Sequence, residues 1–329
     1  MKKKIIYILC LLIAFPLLSD AQGRRWMKYK QNILFGVGPT SFLGDLGGGN
    51  GIGRSGPIDY NLKSTKAAIF AAYRNNINEM FALRLDLTAG YLSGDDRYTS
   101  NPARRGRNLH FRSGFGELTL MGEVFLLRGN QRSVFKPYGA RRSVRPNFFS
   151  DIDLYVYTGL GGMYFNPKAK YDGRWVELQP LGTEGQGLQG EPDKYNKFTI
   201  TIPYGFGIQK PIDPYWSIGL ETTFRMTFSD YIDDVSTTYY GRDNLRNAKL
   251  AAGASEAEAD RAAYLSDPNI YYKLSEYEGK TVNYQQIGEK RGNPNDNDYY
   301  FTVMVTVTKK IASSTISRKR KRPTSRYTF

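Results

Sequence analysis

One histidine and one cysteine in 329 residues leave little from which to build a chemical centre. The cysteine, Cys10, lies inside the first apolar run with Leu9 before it, which is not the setting of an acylated lipoprotein cysteine. The rest of the chain therefore has no disulfide, no thiol nucleophile and no thiolate metal ligand. The histidine, His110, stands between Leu109 and Phe111, and no serine beside it has the setting of a nucleophile, so it reads as an ordinary loop residue. After the first residues no apolar run reaches the ~20 residues of a membrane helix, which excludes a helical membrane protein. No glycine-rich loop follows a strand and opens a helix; Gly47 to Gly53 reads as a flexible loop. Neither a cofactor nor a metal is expected.

What is present begins with an export signal. Lys2, Lys3 and Lys4 precede an apolar stretch from Ile5 to Leu18, and Ser19-Asp20-Ala21 supplies the small residues of a cleavage site before Gln22. The whole chain has formal charge +15; the leader holds three lysines and Asp20, a net +2, so its removal leaves +13. A soluble chain this basic would suggest nucleic acid, but an exported one meets none, so another partner must account for the charge.

Period-two alternation dominates the remainder. Phe301, Val303, Val305 and Val307 fall on one face, against Thr302, Met304, Thr306 and Thr308. Ile218, Leu220, Phe224, Met226 and Phe228 alternate with Gly219, Glu221, Thr223, Arg225 and Thr227. Phe81, Leu83, Leu85, Leu87, Ala89 and Tyr91 alternate with Arg84, Asp86, Thr88 and Gly90, and residues 197–209 behave likewise. Eight strands result, at about 32–43, 66–75, 80–93, 111–127, 152–165, 197–209, 216–228 and 298–311, near the length a tilted strand needs to cross a bilayer. Short joins at Asn75-Asn76-Ile77-Asn78 and Lys210-Pro211-Ile212-Asp213-Pro214 alternate with long ones at 44–65, 94–110, 166–196 and 229–297. The pattern is all-β: an eight-stranded antiparallel transmembrane barrel of the outer-membrane type, with long extracellular loops and both termini periplasmic. The 128–150 join is long for a periplasmic turn. Leader 1–21, barrel 22–311 and basic tail 312–329 make up the chain.

A soluble eight-stranded barrel alternates too, but its apolar face points inward and its outer face is charged. Here the polar face carries Arg84, Asp86, Glu117, Glu123, Glu221 and Arg225 among Gly and Thr, which suits a narrow lumen crossed by ion pairs. Tyr91, Tyr155, Tyr164 and Trp216 read as interfacial girdle residues. Ala248 to Leu265, rich in Ala and Glu, reads as one helix that caps the barrel mouth or, alternatively, contacts a translocon. Asp230, Asp233, Asp234, Asp296 and Asp298 flank one loop and could together hold calcium, but they lack the spacing of a calcium loop; solvated residues, or partners for loop arginines such as Arg242, are the expectation.

Four segments carry a family resemblance: Ser41-Phe42-Leu43-Gly44-Asp45-Leu46-Gly47-Gly48, Leu178 to Gln186, Ser229-Asp230-Tyr231-Ile232-Asp233-Asp234-Val235-Ser236, and Gly292-Asn293-Pro294. In order and spacing they resemble the PorG-like outer-membrane barrels of the type IX secretion system of Bacteroidota. The resemblance implies a non-enzymatic subunit of a protein-export machine, associated with a periplasmic ring made of a lipoprotein and its partner.

The charge map points to the same side. The periplasmic segments carry Arg24, Arg25, Lys28 and Lys30; Arg128, Arg132, Lys136, Arg141, Arg142 and Arg145; Lys210; and Lys309, Lys310, Arg318, Lys319, Arg320, Lys321, Arg322 and Arg326. Those in the 128–150 join and the 318–322 run are the candidate partner-binding residues, since arginine suits bidentate contact with carboxylates. Anionic lipid headgroups are the simpler partner for the tail. Two further classes stay open: an outer-membrane enzyme using His110, and a surface adhesin acting through the long loops.

Overall fold

The computed structural model describes residues 29–46, 64–98, 102–128, 152–269, 276–277, 280–281 and 288–311. The leader, the 129–151 segment and the tail beyond Ile311 lie outside the described residues, and with them every candidate partner-binding residue except Arg128.

Eight long strands form: β1 (Gln31–Leu43), β2 (Lys66–Asn76), β3 (Phe81–Asp95), β4 (His110–Leu127), β5 (Asp153–Tyr171), β7 (Phe198–Pro211), β8 (Trp216–Thr227) and β11 (Tyr299–Ile311), with short strands β6 (Arg174–Glu177), β9 (Glu276–Tyr277) and β10 (Lys280–Thr281) between them. The order around the sheet is β4-β3-β2-β1-β11-β8-β7-β5, and β5 pairs back onto β4 from Arg112↔Lys168 to Leu127↔Leu154. The first and last strands close the other seam, from Gln31↔Ile311 to Leu43↔Tyr299. The sheet is thus a closed eight-stranded antiparallel barrel.

Alternation sets its two surfaces. Val37, Ile69, Leu87, Leu120, Leu160, Ile200, Leu220 and Val305, one from each long strand, point outward and are 43–63% exposed. A continuous apolar ring around the wall would be costly in water and is favourable against lipid chains. That separates this wall from a soluble barrel's charged exterior. No helix among the described residues is long and apolar enough to cross a membrane, which leaves spanning to the strands.

The turns follow local side-chain chemistry. Asn78 Oδ1 accepts from the backbone N–H groups of Met80 (2.8 Å) and Phe81 (2.7 Å), closing the β2–β3 turn. Asp213 Oδ1 does the same for Tyr215 and Trp216, both at 2.7 Å, between β7 and β8.

Three expectations need correction. The third long join is not all loop: β5 continues to Tyr171, turns at Asp172-Gly173, both with positive φ, and returns as β6. Asp-Gly is the sequence a tight two-residue hairpin favours, so the signal was there to be read. The Ala248–Leu265 helix is two helices, α2 (Arg242–Ala251) and α3 (Glu256–Ser266); α1 is the short Pro102–Arg107 turn. Gly253, at φ +85, ends the first, and Ser255 caps the second by accepting from the Glu258 backbone N–H at 3.3 Å. Tyr155 is no girdle residue: it is fully buried inside the barrel, whereas Tyr91, Tyr164 and Trp216 do face outward.

Candidate functional site

Ionisable side chains gather in two places, the lumen and a cap of loops above it. Inward positions fill the lumen with large buried groups, Arg74, Arg84, Tyr155, Met121 and Met163 among them. Arg84 on β3 donates to Asp86 beside it (2.5 and 2.6 Å) and reaches across the barrel to Glu221 on β8 (both contacts 2.9 Å) and to Glu123 on β4 (3.1 Å). Arg225 on β8 pairs with Glu117 on β4 at 2.6 Å, and Arg74 on β2 pairs with Glu123 at 2.5 Å while donating to Gln209 on β7 at 3.2 Å. Tyr155 donates to Glu221 at 2.6 Å. Strands β3 and β8 stand diametrically opposite in the sheet order, so the Arg84–Glu221 pair is a strut across the bore, and Arg225–Glu117 joins strands three places apart in the wall. An eight-stranded barrel is only wide enough for such a filling. Arg74 was not singled out from the sequence, although the Ala68, Phe70, Ala72, Arg74 alternation places it inward.

The cap is built from all four long joins. Arg107 forks onto Asp96 (2.7 and 3.1 Å) and donates to the carbonyls of Asp45 (2.9 Å) and Arg291 (2.8 Å). Arg291, almost fully buried, donates to Glu184 Oε1 at 2.9 Å, to the Asp234 carbonyl at 2.5 Å and to the Ser266 carbonyl at 3.3 Å. Glu184 also accepts from the backbone N–H groups of Ser236 (2.9 Å) and Thr237 (3.1 Å) and from the Thr237 hydroxyl (2.6 Å). Asp234 accepts from Thr183 at 2.5 Å and Tyr195 at 2.6 Å. Asp233 takes the N–H groups of Leu46 (3.2 Å) and Val235 (3.0 Å); Asp298 takes that of Ile232 (2.9 Å); Asp45 takes that of Asn293 (2.6 Å). Beneath this network Phe42, Leu46, Leu92, Leu109, Phe111 and Phe165 form an apolar layer over the lumen.

The acids are therefore not solvated. Asp230, Asp233, Asp234 and Asp298 are all buried; of these Asp234 pairs with Arg291, which also holds Glu184, and Arg242 lies over the Tyr264 ring at 5.3 Å. Asp296 alone is exposed and holds Asn293 at 2.6 Å. Burial raises Asp230 to about 8 and Asp234 to about 6, Arg291 pulling the latter back. Asp233 and Asp298 are pushed well up by burial, and then by neighbouring carboxylates, Asp45 and Asp230 in the first case and Asp233 and Asp230 in the second. Burial opposes the Arg291 charge, and Glu184 and Asp234 more than offset it, holding that guanidinium above its ordinary value. No three His, Cys, Asp or Glu among the described residues stand together as metal ligands. A cavity of ≈ 10 Å³ under the cap, lined by Leu109, His110, Asp233 and Arg291, has room for about one water.

His110 opens β4, and its Nε2 accepts the Lys170 backbone N–H at 2.9 Å, so the atom a general base would use is already engaged. Arg128, at the opposite end of the barrel, stacks 3.7 Å over Phe125 and donates to Asn76 Oδ1 at 2.9 Å, and burial lowers its pKa. It closes the bottom of the lumen and does not stand free.

The four segments that carried the family resemblance meet in this cap: Asp45 and Leu46, Thr183 and Glu184, Asp233 and Asp234, and Asn293 bind one another through the contacts above. A family model described as "Domain of unknown function (DUF6089)" matches residues 40–254, about two thirds of the chain, from the end of β1 through α2. The chain belongs to the DUF6089 family. No curated protein sequence matches it. Among solved structures, this DUF6089 chain is similar to Ail, the attachment invasion locus protein of Yersinia pestis, in complex with the heparin analogue sucrose octasulfate, at 9% identity, covering 87% of this chain and 100% of that one with TM-score 0.36. OprG from Pseudomonas aeruginosa gives 7% identity, 87% and 98% coverage and TM-score 0.34. Neisserial surface protein A gives 6%, 85% and 95%, and 0.32.

Proposed function

We propose that this DUF6089 barrel resides in the outer membrane as a non-enzymatic subunit of the type IX protein secretion machinery, where it anchors or aligns a periplasmic ring through its basic face. The observation that carries the reading is the filled bore. Arginine–carboxylate struts occupy the lumen and four interlocked loops cover one mouth, so the working surfaces are the two ends and not the interior. The end at which β1 begins and β11 finishes is the basic one. Lys30, Lys210, Lys309 and Lys310 ring it among the described residues, and the sequence adds Arg132, Lys136, Arg141, Arg142, Arg145 and the Arg318–Arg322 run without an intervening acid. Such a surface suits an acidic protein partner, and the family resemblance supplies the ring lipoprotein and its companion as candidates.

The test is capture of the tagged barrel from gently solubilised outer membranes, with mass spectrometry of what accompanies it. Ring subunits should accompany the wild type and be lost, progressively with salt, when Arg141, Arg142, Arg145 and Arg318 to Arg322 are neutralised. Capture that is equal for wild type and variant at every ionic strength would sink the electrostatic docking.

A further inference from the structure

At the long-loop end of the wall, a group of cations faces outward above the apolar ring. Arg112 on β4 stands opposite Lys168 on β5, and Lys168 opposite Glu177 on β6; two residues higher, Lys170 is opposite Trp175. All of these share the outward face, whereas Arg174, opposite Tyr171, belongs to the other face of the hairpin. The β5–β6 hairpin thus widens the wall into a small platform. The Arg112 guanidinium lies between two rings, 4.1 Å from the centre of Trp175 and 5.4 Å from that of Tyr91. Tyr91, Tyr164 and Phe198, all more than half exposed, form the aromatic edge directly below.

Two carboxylates of this rim, Glu177 and Asp95, are already engaged. Glu177 binds Lys168 at 3.0 Å and Lys197 at 3.1 Å and accepts from Asn166 at 2.8 Å, contacts that hold it down at about 2. Asp95 is taken by Arg97 at 2.6 Å. Among the described residues Arg112 and Lys170 are left with no ion-pair partner, and Asp172 at the hairpin tip pairs with neither. Two unpaired cations share one patch of wall.

Their height identifies the neighbour. A strand tilted about 40° rises roughly 2.5 Å per residue, so Arg112 stands roughly 35 Å above Leu126 at the far edge of the same strand's apolar face. The apolar band of such a barrel is about 25 Å tall, which places Arg112 roughly 10 Å beyond it, among headgroups. We propose that Arg112 and Lys170, with Trp175 and Tyr91 as apolar walls, bind a phosphate of a membrane-lipid headgroup in the leaflet at the long-loop end. Arg112 supplies planar donors for phosphate oxygens and Lys170 a compact charge, and the two rings keep Arg112 extended with little entropy left to lose on binding.

The proposal rests on the membrane reading of the apolar ring and not on any secretion partner. The full-length chain in detergent is titrated with bisphosphorylated lipid A, with the same glycolipid dephosphorylated, and with phosphatidylcholine, and bound lipid is read by native mass spectrometry. Wild type should hold the bisphosphorylated lipid at least tenfold more tightly than either control, and Arg112→Gln/Lys170→Gln should lose that preference. The double variant's folded state is confirmed by heat-modifiable gel mobility. Equal binding of all three lipids by wild type needs no variant to overturn the proposal, and undiminished preference in a folded double variant would overturn it too.

Discussion

Arg291→Ala should open the cap and leave the barrel closed. Arg291 joins three loop segments through Glu184 Oε1, the Asp234 carbonyl and the Ser266 carbonyl, and its own carbonyl accepts from Arg107. Removing one partner of a buried pair costs about 3–5 kcal/mol, because the other charge stays buried without compensation. Glu184 keeps the donors of Ser236 and Thr237, and Asp234 keeps Thr183 and Tyr195, so the lower figure of ~3 kcal/mol applies. At 1.36 kcal/mol per decade this is a change of about 150-fold in the opening equilibrium. Amide exchange read by mass spectrometry should show that acceleration over Ser229–Tyr240, α2 and α3, while amides of the barrel strands keep wild-type protection. Arg291→Lys should fall between, since one ammonium cannot reproduce the fork. If cap amides of Arg291→Ala exchange within a few-fold of wild type, the network does not hold the loops. If the strands lose protection in parallel, cap and barrel are one cooperative unit and the decoupling is wrong.

Two further outcomes follow from buried charge. Glu221→Ala takes a bidentate partner from Arg84 and the acceptor from Tyr155, and should lower the barrel's stability by about 3 kcal/mol, Asp86 and Glu123 retaining part of the Arg84 charge; an unmoved urea midpoint in lipid vesicles would refute the strut assignment. The cap should also loosen as pH rises: carboxyls with raised folded values bind protons more readily folded than unfolded, so their stabilisation is full below the unfolded value near 4 and is lost as pH climbs through about 6 for Asp234 and about 8 for Asp230. Protection of the cap amides, corrected for intrinsic exchange, should therefore fall between pH 5 and 8.5, and Asp230→Asn should flatten the upper part of that profile; rising protection would contradict the sign.

The barrel was legible in the sequence because one face of every strand meets lipid and the other meets a lumen, which makes period two unmistakable. Strand bounds came within a few residues except where the wall continues above the apolar band. There the outer face of β5 and β6 no longer meets lipid chains, so Lys168 and Lys170 break the apolar alternation and the segment reads as loop. The lumen charges were legible for the same reason as the strands, and Arg74 was lost because Ala68, Ala71 and Ala72 weaken the contrast on β2. The cap was not legible. Its acids look like solvated loop residues, since their partners are backbone N–H groups and two arginines far away in sequence, Arg107 and Arg291. Only the second has a local flag, standing directly before Gly292-Asn293-Pro294.

That geometry changes what the recognisable motifs mean. Conspicuous acids in outer loops invite a ligand or metal reading, yet Asp45, Glu184, Asp233, Asp234 and Asp298 spend their oxygens on the chain's own N–H groups, hydroxyls and Arg291. They specify how four loops fold against one another, and a segment engaged in that way is poorly placed to bind anything else. On the two proposals above, contacts with other molecules fall instead to cations that the network does not use, Arg112 and Lys170 on the β4–β6 rim and the basic residues of the sequence near the two termini. Arg74, Arg84, Arg107, Arg225 and Arg291 are spent on the chain's own carboxylates and carbonyls, so only the remaining basic residues are offered to an anionic partner.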